Sequence, residues 1–153
     1  MDEATFAILK AELEECRRNI CFIYDRVDQR RRDFHETAEG LDSMAYQMHN
    51  LYSAYEGLFQ TVAHFFENRI EGERYHTHLL PRMKLEIEGI RPALISNDAF
   101  PLLDELRRFR HFFRHAYTAA LSTERLTALV TMAHQLRGVF ERDMRTFLGE
   151  LTP

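Results

Sequence analysis

Between Leu106 and Tyr117 the chain runs Leu-Arg-Arg-Phe-Arg-His-Phe-Phe-Arg-His-Ala-Tyr, placing four arginines and two histidines in a protein of formal net charge −4. A guanidinium binds non-bridging phosphate oxygens through paired donors. A histidine titrates near neutrality and can accept or deliver a proton. Together they suffice, without a metal, for attack of a ribose 2′-hydroxyl on the neighbouring phosphate of RNA. Arginine would hold the charge that gathers in the transition state.

Such groups need a rigid carrier, and the stretch has helical spacing. At about 100° per residue, Leu102, Leu106, Phe109, Phe113, Ala116 and Ala120 share one face, while Arg107, Arg110, His111, Arg114 and His115 share much of the other. One side reads as core and the other as a cationic surface. Like charges one turn apart oppose each other, and Asp104 and Glu105 can screen only the upstream end. Arg110 and His115 project about 140° apart on a straight helix. One histidine also serves poorly as both acid and base, so a two-fold dimer bringing two copies of the helix together is expected.

The 153 residues, 45% hydrophobic with only six glycines and four prolines, are expected to form a single domain over 1–153 with an apolar core. Cys16 and Cys21 do not have the spacing of a redox pair and are expected to be reduced core thiols. No basic stretch followed by an apolar run opens the chain, and no apolar run reaches the ~20 residues of a membrane span. A soluble, cytoplasmic protein without a membrane partner is expected.

Four long helices and one short one are expected, giving an all-α, up-and-down four-helix bundle with an additional short helix. The first, from about Ala4 to about Asp33, carries Leu9, Leu13, Cys16, Ile20, Ile23 and Val27. Arg30-Arg31-Arg32 at its end suit the macrodipole. After a break at His35–Gly40, the longest apolar stripe runs from Leu41 through Met44, Met48, Tyr52, Tyr55 and Phe59 to Phe66, marking the central helix. Leu79, Leu80, Met83 and Ile87 support the short helix. Pro101 opens the cationic helix, which should end near Ala120. Ser122 is the expected N-cap of the last helix.

Glycine-rich phosphate loops, HExxH and the Gly-x-Ser-x-Gly elbow are absent from the sequence. Glu73-x-x-His76 has the form of one di-iron ligand motif, but a bundle metal site needs a second copy, and none occurs. No metal and no cofactor are expected.

Arg110-His111-x3-His115-x-Tyr117 resembles the Arg-x4-His-x-Tyr signature of HEPN ribonucleases. The chain is further similar to the HepT-like toxin branch in Met48-His49-Asn50-Leu51-Tyr52-Ser53-Ala54-Tyr55-Glu56, in His78-Leu79-Leu80-x-x-Met83 and in Ile90-Arg91-Pro92-Ala93. The likeness runs roughly from Leu13 onward. It implies a homodimer with a composite, metal-independent ribonuclease site, in which Arg110 and His115 are the catalytic pair and His111 supports them. Arg107 and Arg114 would contact the RNA backbone. In the HepT-like branch a minimal nucleotidyltransferase (MNT) antitoxin modifies the matching tyrosine with AMP, which makes Tyr117 the AMPylation candidate. Two other readings stay open on the residues alone: a non-catalytic helical RNA- or nucleotide-binding module, and a purely structural dimerisation bundle.

Overall fold

A computed structural model describes residues 1–67, 74–115 and 120–153, without the side chains of residues 74–77. Its helices are α1 (Glu3–Arg30), α2 (Ala38–Glu67), α3 (Arg74–Met83), α4 (Ala99–His115) and α5 (Thr123–Leu151), with a 3-10 turn at Phe34–Glu36. The described residues contain no strand, only an isolated bridge between Ile87 and Arg91. The expected set of four long helices and one short one, in an all-α bundle, is what forms. No described helix is long and apolar enough to cross a membrane.

Each long helix starts or ends for a local reason. The Asp2 carboxylate accepts from the Thr5 amide at 2.8 Å to open α1, and Ser122 caps α5 by accepting from the Arg125 amide at 3.2 Å. α1 stops at Arg30 rather than near Asp33. There the Arg31 amide turns back to the Asp28 carbonyl, and Arg30 itself donates to the Arg26 carbonyl and the Ser43 hydroxyl. These bonds satisfy carbonyl oxygens that a further helical turn would otherwise have served.

α2 is the central element, packing against each of the other four helices. Its stripe from Met44 through Met48, Tyr52, Tyr55 and Phe59 to Val62 is fully or almost fully buried. Tyr24 of α1 donates to the Ala133 carbonyl of α5 and pairs with the Tyr55 hydroxyl of α2, both at 2.7 Å, so three helices meet at one satisfied polar point. Burial pushes both phenols above their ordinary range. The Cys residues part company. Cys16 is half-buried, with its Sγ 3.5 Å from the Thr61 hydroxyl, whereas Cys21 is exposed. Five residues turn Cys21 about 140° away from Cys16 and out of the core.

Gly40 belongs to the first turn of α2 rather than to the preceding break. The Thr37 hydroxyl caps this turn by accepting from the Gly40 amide at 2.9 Å. A Cβ added at Gly40 would lie 2.5 Å from the Phe34 carbonyl oxygen, so the backbone must approach too closely for any side chain. Gly40→Ala is expected to destabilise the bundle by about 1–3 kcal/mol through this overpacking, read as a lower urea midpoint at constant slope. Gly138→Ala is the control, because an added Cβ there meets nothing within 4 Å. It should stabilise by up to about 1 kcal/mol through helix propensity.

α3 ends at Met83 and does not include Ile87, because the Met83 carbonyl is taken by the returning amides of Leu94 and Ile95. Ile87 instead closes a turn with Arg91 around Gly89, whose φ of 74° suits glycine. Arg91 anchors this connection. Its side chain is fully buried, donates to the carbonyls of Arg82, Leu85 and Pro92, and pairs with Glu67 at the end of α2. The Asp143 carboxylate of α5 then accepts from both the amide and the hydroxyl of Ser96, at 2.8 Å each. These two anchors fix where α4 begins against α2 and α5.

Candidate active site on helices α2 and α4

Leu102, Leu103, Leu106 and Phe109 bury one face of α4, as its spacing requires, and Phe113 is only half-buried. Arg110 departs from the expected cationic surface. It turns toward α2, where both terminal nitrogens of its guanidinium meet Glu56: Nη1 donates to Oε1 at 3.0 Å and Nη2 to Oε2 at 2.8 Å. The two side chains retain only 14% and 11% exposure. The Arg110 Cζ also stands 4.6 Å from the centroid of the Tyr52 ring, and Nη1 has a long contact of 3.5 Å to the Ser53 hydroxyl. Burial, then the nearby Glu56 carboxylate, raises the Tyr52 phenol.

This is a fork-to-fork pair laid on an aromatic face, a geometry that arginine forms and lysine cannot. The bonds to Glu56 and Ser53 use three of the five guanidinium donors. Among the described residues, no acceptor meets the Nε–H or the second Nη2–H. The arginine is thus aimed and held before any ligand arrives.

The histidines lie elsewhere on the helix. His111 and His115 are both exposed, with ring centroids 4.5 Å apart. Arg114 is exposed beside them, while Arg107 is half-buried and pairs with Asp104 at 2.9 Å. Asp104 also takes Arg108 at 3.0 Å, so one carboxylate screens two of the four arginines. His49 of α2 completes the surface. Its ring lies 5.5 Å from that of Phe113 and stacks on Tyr46 at 6.4 Å.

A sequence-family model described as HepT-like protein matches residues 43–151, well over half of the chain. The chain belongs to the HepT-like family. That family is of the HEPN superfamily and is associated with toxin–antitoxin pairs and with RNA. No curated protein and no solved structure matches the chain. The match begins at Ser43, within α2, and therefore excludes α1, which the sequence likeness had included in part.

Within this HepT-like chain, α4 brings His111 and His115 together at its exposed end and directs Arg110 into the α2 face. Tyr117 lies outside the described residues, as do Glu73 and the side chain of His76. Among the described residues, no group of three or more His, Cys, Asp and Glu could hold a metal ion. Glu56, Ser53 and His49 enter the sequence analysis only inside the Met48–Glu56 likeness, and Tyr52 there and on the apolar stripe of α2, none of them with a role at the site. One signal was available. Glu56 lies four residues after Tyr52 and three before Phe59, on the buried stripe of α2, where a carboxylate requires a cationic partner.

His49 adds a pH dependence. Burial lowers its pKa from the ordinary 6.5, and Arg110 and Arg114 lower it further, against a hydrogen bond with Asn50 that raises it. A histidine depressed in the folded state binds fewer protons there than in the unfolded chain. Stability is therefore full above pH 6.5 and falls as pH drops from 6.5 through the folded value. His134, lowered by its own burial, moves in the same direction. Urea unfolding at pH 7.5 and 5.5 should show the acid loss, and His49→Gln should reduce its size. An acid loss unchanged in that variant would contradict the assignment.

Proposed function

We propose that this HepT-like chain is a metal-independent endoribonuclease, the toxin of a HEPN/MNT toxin–antitoxin pair. It cleaves RNA by attack of the 2′-hydroxyl on the adjacent phosphate, at a site shared by two copies of the chain. The observation that carries the reading is Arg110, oriented by Glu56 and Tyr52 on the same helix that presents His111 and His115 to solvent. Arg110 binds the non-bridging oxygens and stabilises the transition state. His115 transfers the proton, His111 supports it, and the second copy contributes the other histidine of the acid–base pair. Arg107 and Arg114 contact the RNA backbone. The protein works in the cytoplasm beside a nucleotidyltransferase antitoxin. AMP placed on Tyr117, seven positions after Arg110 in the sequence, would add bulk and negative charge and so oppose phosphate binding.

A second reading, a non-catalytic RNA- or nucleotide-binding module, is favoured by one feature. Glu56 already occupies the Nη1/Nη2 face of the guanidinium, one of the two faces that can grip a phosphate in two places. RNA cleavage and RNA retention, measured in parallel on the purified protein in EDTA, separate the two. Cleaved RNA supports the nuclease, and bound but intact RNA supports the binding module. Light scattering tests the shared site, which requires a dimer at micromolar concentration.

A further inference from the structure

A groove of about 430 Å³ runs between α1 and α2. Its size falls in the range of small-ligand pockets. The two exposed large aromatics among the described residues, Phe22 at 59% and Tyr46 at 53%, both line it. On amphipathic helices these positions would ordinarily be polar. Arg26 also lines the groove, with its guanidinium 5.5 Å from the centre of the Phe22 ring. Three side-chain amides, from Asn19, Gln47 and Asn50, complete its polar wall, and no carboxylate of the described residues lines it.

Gln47 is the informative member. It is 2% exposed, and its Oε1 has no hydrogen-bond partner among the described residues. A buried acceptor left unmade costs free energy that a ligand donor could recover. Flat exposed rings, an arginine and amides bearing both donors and acceptors are the groups that hold an unstacked base of single-stranded RNA. The rings stack on its faces and the amides read its edge. An apolar peptide would instead strand three amides and a guanidinium against hydrocarbon.

Two lining residues of the groove, Tyr46 and Asn50, contact His49 of the candidate site. Tyr46 stacks on His49 with ring planes 8° apart, and His49 in turn lies against Phe113 of α4. Asn50 lines the groove, and its Oδ1 meets His49 Nδ1 at 3.4 Å. Seven residues separate Tyr46 from Ser53, the neighbour of Arg110, a rise of about 10 Å along the helix.

We propose that the α1–α2 groove is a nucleobase subsite, which stacks a base of the RNA strand next to the phosphate held at Arg110. The proposal rests on the RNA reading above and assigns its substrate-positioning surface. Tyr46 and Phe22 supply the stacking faces, Gln47 and Asn50 the edge contacts, and Arg26 the charge for a flanking phosphate.

Titration calorimetry with the four nucleoside 5′-monophosphates, and with ribose 5-phosphate as the baseless control, tests it. At least one monophosphate should bind the wild type, with ribose 5-phosphate at least tenfold weaker. Tyr46→Ala should weaken monophosphate binding by about 5- to 150-fold, the range of one lost stacking contact. Its exposed position leaves the fold intact. In RNA cleavage the same variant should raise KM and leave kcat within twofold.

Monophosphate binding that Tyr46→Ala and Phe22→Ala both leave unchanged, with wild-type KM, overturns the subsite even if the nuclease is active. Groove binding by a wild type that leaves RNA intact supports the subsite and counts against the nuclease. Loss of the dimer in Tyr46→Ala, with monophosphate binding retained, would assign this face to the subunit interface and overturn the proposal.

Discussion

Arg110→Ala is expected to lower kcat/KM for RNA by about 10²- to 10³-fold, the scale for losing a preorganised transition-state donor. It is also expected to destabilise the bundle by about 3 kcal/mol, the lower end of the cost of breaking a buried ion pair. Both effects follow from one geometry. The guanidinium is held on two oxygens of Glu56 and on the face of Tyr52, at 14% exposure, so removing it takes away the proposed phosphate-binding group and a partner of a buried carboxylate together. The two losses separate in Arg110→Lys. An ammonium keeps a charge near Glu56 but cannot form the fork, so stability should recover more than activity. Urea unfolding and initial cleavage rates on the same preparations check this. An Arg110→Ala protein as stable as the wild type would show that the pair with Glu56 contributes nothing to the fold.

His115→Ala is expected to behave differently, with kcat falling by about 10²- to 10⁴-fold, the usual range for a lost general acid or base, and stability unchanged. His115 is exposed, and its only ring neighbour among the described residues is His111, at 4.5 Å. Truncating it empties no cavity and strands no buried group. The test is the KM-against-kcat split with the urea midpoint held constant. A fall in binding with kcat preserved would make His115 an RNA contact rather than a proton carrier. On the proposed roles, His111→Ala should cost less than His115→Ala.

The helices were legible in the sequence because their signals are local. The apolar stripe of α2, the Ser122 cap and the position of Pro101 in the first turn of α4 depend on residues within a turn or two of each other. What was not legible depends on contacts far apart along the chain. Helical periodicity placed Arg110 on the face opposite Phe109, but not which neighbour that face meets. Glu56 is 54 positions away, and only the packing of α4 on α2 brings the two together. The same holds for Arg91, whose burial depends on carbonyls from two sides of a loop and on Glu67. Cys21 was misplaced for a simpler reason: a thiol is apolar enough to suggest core, and the angular step from Cys16 outweighs that tendency. Phe113 was assigned to the core and lies at its margin, where it backs His49 beside the candidate site.

The most direct test of the account is the chemistry of the RNA ends that the purified protein produces in EDTA. Attack by the 2′-hydroxyl expels the 5′-oxygen of the next nucleotide. It leaves a 2′,3′-cyclic phosphate on one fragment and a 5′-hydroxyl on the other, and it cannot occur where the 2′-hydroxyl is replaced by hydrogen. The account predicts those two termini, no cleavage at a single 2′-deoxy substitution, and loss of both products in Arg110→Ala and His115→Ala. Intact RNA, fragments ending in 3′-hydroxyl and 5′-phosphate, or cleavage undiminished in both variants would contradict it.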